Sequence, residues 1–596
     1  MRGFVVALDT QPGPDTPPDD ALGRRLQAWL QATPQRTGVA SSLSRCRILR
    51  YSDSPGVPAE FNQRVVQSAE AITLWTGPRV DMTPAALLPV LSSHDSAGQV
   101  AAARSAPSAL DTAVAISYRP DAHSLLVRTD ILAATFIYWV RSGRWLLLSN
   151  ASLTLAKLVR AGLDPVATSE FLACGSVFDN RSIYGGVRSL PPASIVKFEA
   201  DRPEPDSACY WSLHALPFAS VSGQQACDRV IDVLDQDFQT LNDTGKRFVL
   251  DLTGGYDSRT NLGFAVRNLK SFETTVTGTA GSEDVILSQA LADRYRLQHT
   301  VVAPPVPQDV EQDRHLAKVV ALATDLEYDI LEYARIHHTQ TRFDTLQQPS
   351  VHGSGGGDIA RNIILRPEFC TGSPDAGLVV DPLIAQRFRS LVPAALARPG
   401  LPLADWNGHM RQRIAMHDRP ELPAYARLDI IYLRMRMQFW QGRIGSSTNR
   451  FRSSFSPWTN RQVLEAMLCT HWKARDHQML SRRLLGALHP GLSRVGVSRG
   501  EPAGPAWADV IRGLPARLRY YQERLAVRMN RGPQVGADVG RFRHLQPHWE
   551  AALAPVFTPQ GLQQLGAADG PASNPVLLGR LVTLAHAHLH LVTPLG

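Results

Sequence analysis

"KRFVLDLTGGYDSRTNLGFAVRNL", residues 246–269, decides how this chain is read. Phe248-Val249-Leu250 is a short apolar run of strand character, and it runs into Thr253-Gly254-Gly255. Apolar residues at helical spacing follow. Strand, glycine turn and helix in that order make half of a parallel-sheet unit. Gly254 and Gly255 let the backbone turn sharply and approach a ligand closely. Thr253, Ser258 and the amides opening the next helix form a nest for an anion. Asp257 stands inside that nest and would repel a phosphate unless a cation intervenes, which suggests Mg²⁺ bridging the two. The loop is neither G-x-x-x-x-G-K-[ST] nor G-x-G-x-x-G. Gly-Gly and Asp are also common in ordinary strand-to-helix turns, so local chemistry leaves both readings open.

The pattern extends on both sides. "FETTVTGTAG" reads as a second strand and turn, "EDVILSQALADRYRL" as a helix and "HTVV" as a third strand. This alternation predicts a parallel sheet with helices on both faces and a ligand beyond the strand C-termini. Past residue 400 the pattern is mostly helical and Arg-rich. Upstream, "FVVAL", "DTAVAISYRP", "HSLLVRTD" and "ASIVKFEAD" are strand-like, and "FIYWVRSGRWLLLS" is a hairpin with Ser142-Gly143 at its tip. Helical patches fall at 151–162 and 166–175. The Pro- and acid-rich "EADRPEPDSA" leads to a boundary that divides the chain into residues 1–215 and 216–596.

Composition narrows the classes. With 596 residues, 44% hydrophobic and 19% charged, the chain is globular and exceeds one core. Its net charge of +8 favours anionic ligands such as nucleotides, and no recognisable nucleic-acid module accompanies it. The six cysteines are scattered with no C-x-x-C pair, which fits a reduced cytoplasm rather than a disulfide framework or zinc site. No signal peptide and no membrane partner are expected: "LLGRLVTLAHAHLHLV" is interrupted by Arg580 and three histidines and reads as a packed helix. His586, His588 and His590 lie on different helix faces and make a poor metal site.

"LTGGYDSR" resembles the Ser-Gly-Gly-x-Asp-Ser pyrophosphate-binding loop of the ATP pyrophosphatase group, with Thr253 for the first Ser. "TTVTGTAGSEDVILSQALADRYRLQHTVV" and the later "VHGSGGGDIARN", 351–362, narrow the resemblance to the asparagine-synthetase-like branch. "TDILAATFIYWVRSGRWLLLSNASLTLAKL" and "SVFDNRSIYGGVRSLPPASIVKFEADR" are similar to that family's N-terminal glutaminase-type domain. The resemblance spans roughly residues 1–490. It implies an α/β fold: a glutaminase-like Ntn-type αββα sandwich, then a parallel-sheet ATP pyrophosphatase domain with a helical C-terminal region.

The resemblance also implies a chemistry with ATP and Mg²⁺. A carboxylate attacks the α-phosphate to give an acyl-adenylate and pyrophosphate, and an amine then yields amide and AMP. Asp257 and Asp358 would hold the metal. Thr253, Gly254, Gly255 and Ser258 would cradle pyrophosphate, and Leu252 and Val276 would flank the adenine. In "DLEYDILEYARIHH" a Glu332/Tyr333 pair is a candidate base dyad, with Glu327 and Asp329 beside it; the same segment also fits a surface helix with Glu-Arg pairing. Lys473, with Arg482 and Arg483 nearby, is the candidate cation.

Two departures stand out. Residue 2 is Arg where glutamine-using members carry the nucleophilic Cys, and Cys46 is not N-terminal. Gly355 stands where asparagine-forming members carry a Glu. The amine therefore comes from elsewhere, as in Cys-less β-lactam, carbapenam and lasso-peptide macrolactam synthetases. The expected substrate is a peptide or small amino-carboxylate, with a precursor-peptide protease or leader-binding protein as partner. A glutamine-independent modifier of a sugar acid or metabolite, and a non-catalytic scaffold, remain alternatives. The Arg-rich "RLDIIYLRMRMQFWQGRIGSSTNRFRSSFSPW" either grips an acidic group or presents solvated arginines.

Overall fold

The structure is a computed structural model. It describes residues 2–10, 24–26, 28–29, 37–52, 62–79, 96–106, 110–132, 134–303, 314–341, 348–353, 355–497, 501–515, 518, 522, 539–567 and 570–593. The fold is α/β: two antiparallel sheets come first, then a parallel sheet with helices.

Strands β1 (Arg2–Asp9), β2 (Thr37–Leu43), β3 (Cys46–Ser52), β4 (Gln63–Gln67), β5 (Ile72–Thr76), β6 (Val114–Arg119) and β7 (Ser124–Arg128) precede the hairpin β8 (Tyr138–Ser142) and β9 (Trp145–Ser149). β10 (Arg188–Ser189), β11 (Ser194–Glu199) and β12 (Asp206–Cys209) complete the two six-stranded sheets, ordered β10-β8-β9-β1-β3-β2 and β12-β11-β7-β6-β5-β4. The sheets face each other across Phe4, Val6, Leu8, Ile116, Val127, Leu148 and Phe198. Val5 and Ala7 point the other way, into a second cluster. Because β1 is buried on both faces, "FVVAL" is apolar without alternation. The helix Ser152–Val159 packs on the outer face of one sheet and the helix Ser96–Ser105 on the other. The β8–β9 register pairs Ser142 with Trp145, so the hairpin tip is Gly143-Arg144, one residue beyond the predicted tip, with Gly143 at φ 58°.

The parallel sheet has the order β15-β14-β13-β16-β17. β13 is Phe248–Asp251, β14 Phe272–Thr277, β15 His299–Val302, β16 Ser350–Val351 and β17 Ser454–Phe455. The chain adds β14 and β15 on one side of β13, then returns to place β16 and β17 on the other. Strand order therefore reverses between β13 and β16, and the loops leaving these neighbours emerge side by side. The helix Gly223–Asp243, opened by a Ser222/Gln225 capping box, packs on the helix Tyr256–Asn268 with the Phe238 and Phe264 rings stacked at 5.6 Å.

One hydrophobic cluster runs from Val5 to Ala587 and joins both parts of the chain. Buried polar contacts cross the same boundary. Arg79 pairs with Asp237 at 3.2 Å, Asp111 accepts from the Arg461 amide at 3.0 Å, and Trp211 Nε1 donates to Glu465 at 2.8 Å. The helix Pro575–Val592 is the one described helix long and apolar enough to cross a membrane, and half of it is buried within the protein. Its Arg580 donates to the carbonyls of Leu172 and Ala173 at 2.8 and 2.9 Å, at the end of the helix Pro165–Cys174.

Candidate functional site

The turn after β13 folds onto itself. Ser258 Oγ accepts from the Thr253 amide and meets the Thr253 hydroxyl, both at 3.0 Å. The Gly255 amide donates to Thr253 Oγ1 at 3.1 Å, and the Gly254 amide to Asp284 Oδ1 at 2.9 Å. Asp284 lies in the first turn of the helix Glu283–Tyr295, so β14's connection braces β13's loop. Gly255 caps the helix Tyr256–Asn268, which carries Asp257 in its first turn.

Arg259 fixes the turn from beneath. It is fully buried, and its guanidinium reaches the carbonyls of Gly254, Leu492, Val495 and Gly496 at 2.5–3.2 Å. Burial lowers its pKa to about 10, with the Tyr256 and Tyr295 phenols opposing. Four carbonyls compensate the buried cation, an arrangement that specifies this one loop geometry.

The loop after β16 closes against the turn. A Cβ on Gly353 would stand 2.6 Å from the Ser258 amide nitrogen, and one on Gly357 would stand 2.5 Å from Asp257 Cγ. Gly356 would meet the Trp458 carbonyl after β17 at 2.2 Å. Three neighbouring strand ends therefore pack with glycine backbone at their contacts. Gly355 has φ 119°, a conformation that disfavours the Glu found there in asparagine-forming proteins of the resembled family. Ser354 lies outside the described residues.

Asp257 and Asp358 come together, and Arg361 joins them. Its Nη2 donates to Asp257 Oδ2 at 2.7 Å and to Asp358 Oδ1 at 2.6 Å. Tyr432, which opens the π-helical stretch Tyr432–Gln441, donates its hydroxyl to Asp358 Oδ2. Asp257 is 8% exposed, and its Oδ1 has no hydrogen-bond partner among the described residues. Desolvation pushes the Asp257 carboxyl up to about 6; Arg361 opposes this and Asp358 adds to it. No three His, Cys, Asp or Glu among the described residues form a group that could hold a metal. The pair fits a divalent cation in a limited way: the unpartnered Asp257 Oδ1 is one acceptor for it, and Arg361 stands between the other oxygens.

Of the remaining predicted residues, Leu252 and Val276 lie on neighbouring strand ends beside the turn, and the others lie outside it. Leu252 is buried with Tyr256, Leu262 and Leu492, and its amide donates to Thr275 at 2.7 Å; Val276 is buried on β14, opposite Val301. Lys473 is exposed, with Nζ 5.8 Å from the Trp472 ring centre; the Trp472 carbonyl accepts from Asn362 at 2.9 Å, which sets Lys473 on the surface beyond the second glycine loop. Arg482 is buried and bonds the carbonyls of Pro502 and Gly504, a packing role. Glu332 is exposed, while Tyr333 is fully buried, with its hydroxyl 3.3 Å from Thr448 Oγ1 and its pKa raised by desolvation. Thr448 ends the helix that begins its π stretch at Tyr432, sixteen residues earlier. At 1.5 Å per residue that is on the order of 20 Å from Asp358's partner. The structure does not bring Tyr333 to the glycine turn, and it separates the pair: Tyr333 is in the core and Glu332 at the surface.

The acids just before them serve the boundary between the two parts. Glu327 is buried against the hydroxyls of Tyr138 and Ser182 and the guanidinium of Arg443. Asp325 pairs with Arg450 at 2.9 Å, and Asp329 caps the helix Ile330–Thr341 through the Leu331 amide at 2.9 Å. "DLEYD" is therefore neither a surface helix nor part of the turn.

Residue 2 is tied down as well. The Arg2 amide donates to the Arg450 carbonyl at 2.9 Å, and its guanidinium donates to the Phe451 carbonyl. The cavity beside it, lined by Arg2, Asn62, Gln63, Asn150 and Arg450 among others, measures about 10 Å³, room for one water at most. Cys46 is buried opposite Leu8 with its thiol pushed up to about 12 by desolvation, an unreactive setting.

No family model matches the sequence, and no curated protein matches it. Among solved structures, the glutamine phosphoribosylpyrophosphate amidotransferase of B. subtilis, complexed with ADP and GMP, aligns over 59% of this chain and 81% of its own. The identity is 7% and the TM-score 0.20, too slight a likeness to carry an argument.

Proposed function

We propose that this chain is an ATP-dependent, AMP-forming amide synthetase of the asparagine-synthetase-like kind, closing an amide within a peptide substrate. The supporting observation is the reversal of strand order between β13 and β16, with Thr253-Gly254-Gly255-x-Asp257-Ser258 on one loop and Asp358 on the other. Open parallel sheets bind ligands at that crevice. The substrate carboxylate attacks the α-phosphorus of ATP, the bond to the β-phosphate oxygen breaks, and pyrophosphate leaves. The substrate amine then attacks the acyl carbon, releasing AMP and a proton.

The chain's residues divide this work. The first turn of the helix Tyr256–Asn268 and the Thr253 and Ser258 hydroxyls meet the leaving pyrophosphate. A divalent cation accompanying ATP would be held by Asp257 and Asp358 and would offset phosphate charge. Tyr432 orients Asp358, and Arg259 holds the turn. At residue 2 a guanidinium bonded to the Phe451 carbonyl stands where a glutamine-hydrolysing nucleophile would be, which favours an amine carried by the substrate itself. Holding amine and acyl group in one cleft is worth up to ~7–11 kcal/mol in well-oriented cases.

The test is product analysis with ATP, Mg²⁺ and peptides carrying an acidic side chain and a free amino terminus. Pyrophosphate, AMP and a peptide lighter by one water are expected, with no response to glutamine. ADP and phosphate would reject the mechanism. Asp257→Asn should slow adenylation on the order of 10²-fold or more.

A further inference from the structure

Two carboxylates that meet at one cation raise the question of which cation they are built for. Arg361 lies three residues beyond Asp358, and one nitrogen of its guanidinium touches both Asp257 and Asp358. Mg²⁺ or Mn²⁺ coordinates carboxylate oxygen at about 2.1 Å. An ion shared by these two oxygens would therefore occupy the space of Arg361 Nη2.

We propose that Arg361 is a resident counter-ion that competes with a divalent cation for Asp257 and Asp358, so that metal binding depends on a phosphate ligand arriving with it. A metal entering alone must displace the guanidinium. That leaves a largely buried Arg with no carboxylate and only the long bond of its Nε to the Gly357 carbonyl at 3.5 Å, which is strongly unfavourable. Side-chain exposure is 22% for Arg361 and 11% for Asp257, so solvent offers only part of the replacement. A phosphate entering with the metal changes the balance, because the displaced guanidinium gains new charged acceptors. Metal and phosphate then bind with positive coupling, and by linkage each tightens the other equally.

Tyr432 sharpens the competition. Its hydroxyl already takes one of the two lone pairs of Asp358 Oδ2, and Arg361 takes one on Oδ1, so an incoming metal meets a carboxylate with both oxygens engaged. Asp257 Oδ1 remains the one buried carboxylate oxygen of the pair without a partner among the described residues, and it marks where the metal would first coordinate.

The inference takes its meaning from the nucleotide reading of this loop, but its test does not use catalysis. Mn²⁺ alone is titrated into wild-type, Arg361→Gln and Arg361→Lys proteins, with free Mn²⁺ read by electron paramagnetic resonance, at a pH well above the value of about 6 for Asp257. The titrations are then repeated with pyrophosphate. Wild type should bind Mn²⁺ weakly alone and more tightly with pyrophosphate. Arg361→Gln should bind Mn²⁺ alone on the order of tenfold or more tightly than wild type and gain less from pyrophosphate. Arg361→Lys, which keeps the charge, should stay near wild type and shows that Gln acts through the lost cation rather than through misfolding. Equal or weaker Mn²⁺ binding by Arg361→Gln overturns the inference. Tighter binding in a protein that never forms AMP would leave this inference standing and remove the synthetase reading; AMP formation with Mn²⁺ binding unaltered by Arg361→Gln would do the reverse.

Discussion

Glu327→Gln should loosen the joint between the two parts of the chain. Glu327 is 1% exposed and Arg443 3%. Across the boundary, Tyr138 donates to Glu327 at 3.0 Å, and Arg443 donates to the Tyr138 hydroxyl at 3.0 Å while stacking 4.8 Å from the Phe136 ring centre. Tyr138 and Ser182 donate to different oxygens of Glu327, and a Gln amide keeps only one acceptor, so the variant loses a hydrogen bond as well as the charge: Arg443 stays charged and buried with no carboxylate beside it. Breaking one half of such a pair costs about 3–5 kcal/mol. Arg443→Met leaves the carboxylate stranded and should cost about as much. The double variant strands neither charge, and replacing a buried pair by apolar packing is often nearly neutral. The singles should therefore over-add, with a coupling energy on the order of 3 kcal/mol.

Urea denaturation of the four proteins measures this, with melting as a second readout. Unfolding entropy near 2 cal/mol/K per residue makes about 4 kcal/mol a shift of only ~3 °C in a chain of this size, so the denaturant midpoint is the sharper observable. Limited proteolysis should cut both single variants at the boundary and spare the double. A coupling below about 0.5 kcal/mol would refute the reasoning, since that is what independent sites show.

Three further outcomes follow from particular contacts. Gly357→Ala puts a methyl group 2.5 Å from Asp257 Cγ and should abolish adenylation while the chain stays folded, checked by circular dichroism beside AMP release. Asp111, lifted to about 6 by burial against an ordinary value near 4, holds its proton in the folded chain where the unfolded chain has lost it; stability from this group therefore falls as pH rises from about 4 to about 6, by roughly 3 kcal/mol, and Asp111→Asn should flatten that part of a urea-midpoint profile. Glu332→Gln, at an exposed position in the first turn of the helix Ile330–Thr341, should change stability by less than about 0.5 kcal/mol and leave pyrophosphate exchange at the wild-type rate.

Legibility in the sequence followed the length of the signal. β13 and the helix after it were readable because four apolar-rich residues, two glycines and a thirteen-residue helix are contiguous. β14, the helix Glu283–Tyr295 and β15 were readable for the same reason, as were the hairpin β8–β9 and β11. β16 and β17 are two residues each, too short for any periodicity, so strand order and its reversal were hidden until the sheet was seen. At the site, Asp257 and Asp358 were found because glycines flag them. Arg361, Arg259 and Tyr432 were missed: each acts at a distance that only the fold closes, and in an Arg-rich chain one arginine carries no mark of its own. The density of arginine was itself the signal. Arg79, Arg128, Arg259, Arg443, Arg450, Arg475 and Arg482 are all buried, most of them on carbonyls or carboxylates; within "RMRMQFWQGRIGSSTNRFR" Arg443, Arg450 and Arg452 are buried, while Arg436 is exposed and lies over the Trp440 ring. In "DLEYDILEYARIHH" Tyr333 is in the core and Glu332 at the surface, a separation that two adjacent residues in a sequence do not show.

Arg2 ties the first part of the chain to the second. A residue at the start of β1 has one face toward the sheet core and its end toward whatever the sheet abuts. Here that neighbour is the segment Arg450-Phe451, which leads directly into β17 and the third glycine-lined strand end. Arg450 in turn pairs with Asp325 and accepts from the Arg2 amide. The tie at residue 2 thus reaches the glycine turn's neighbour through a handful of backbone residues. A short side chain at that position would keep the amide's bond to the Arg450 carbonyl but lose the one to the Phe451 carbonyl, which needs a long side chain with a donor at its end. The Arg2 tie therefore joins the start of β1 to the segment that enters β17, and β17 pairs with β16, whose following loop carries Asp358 to Asp257.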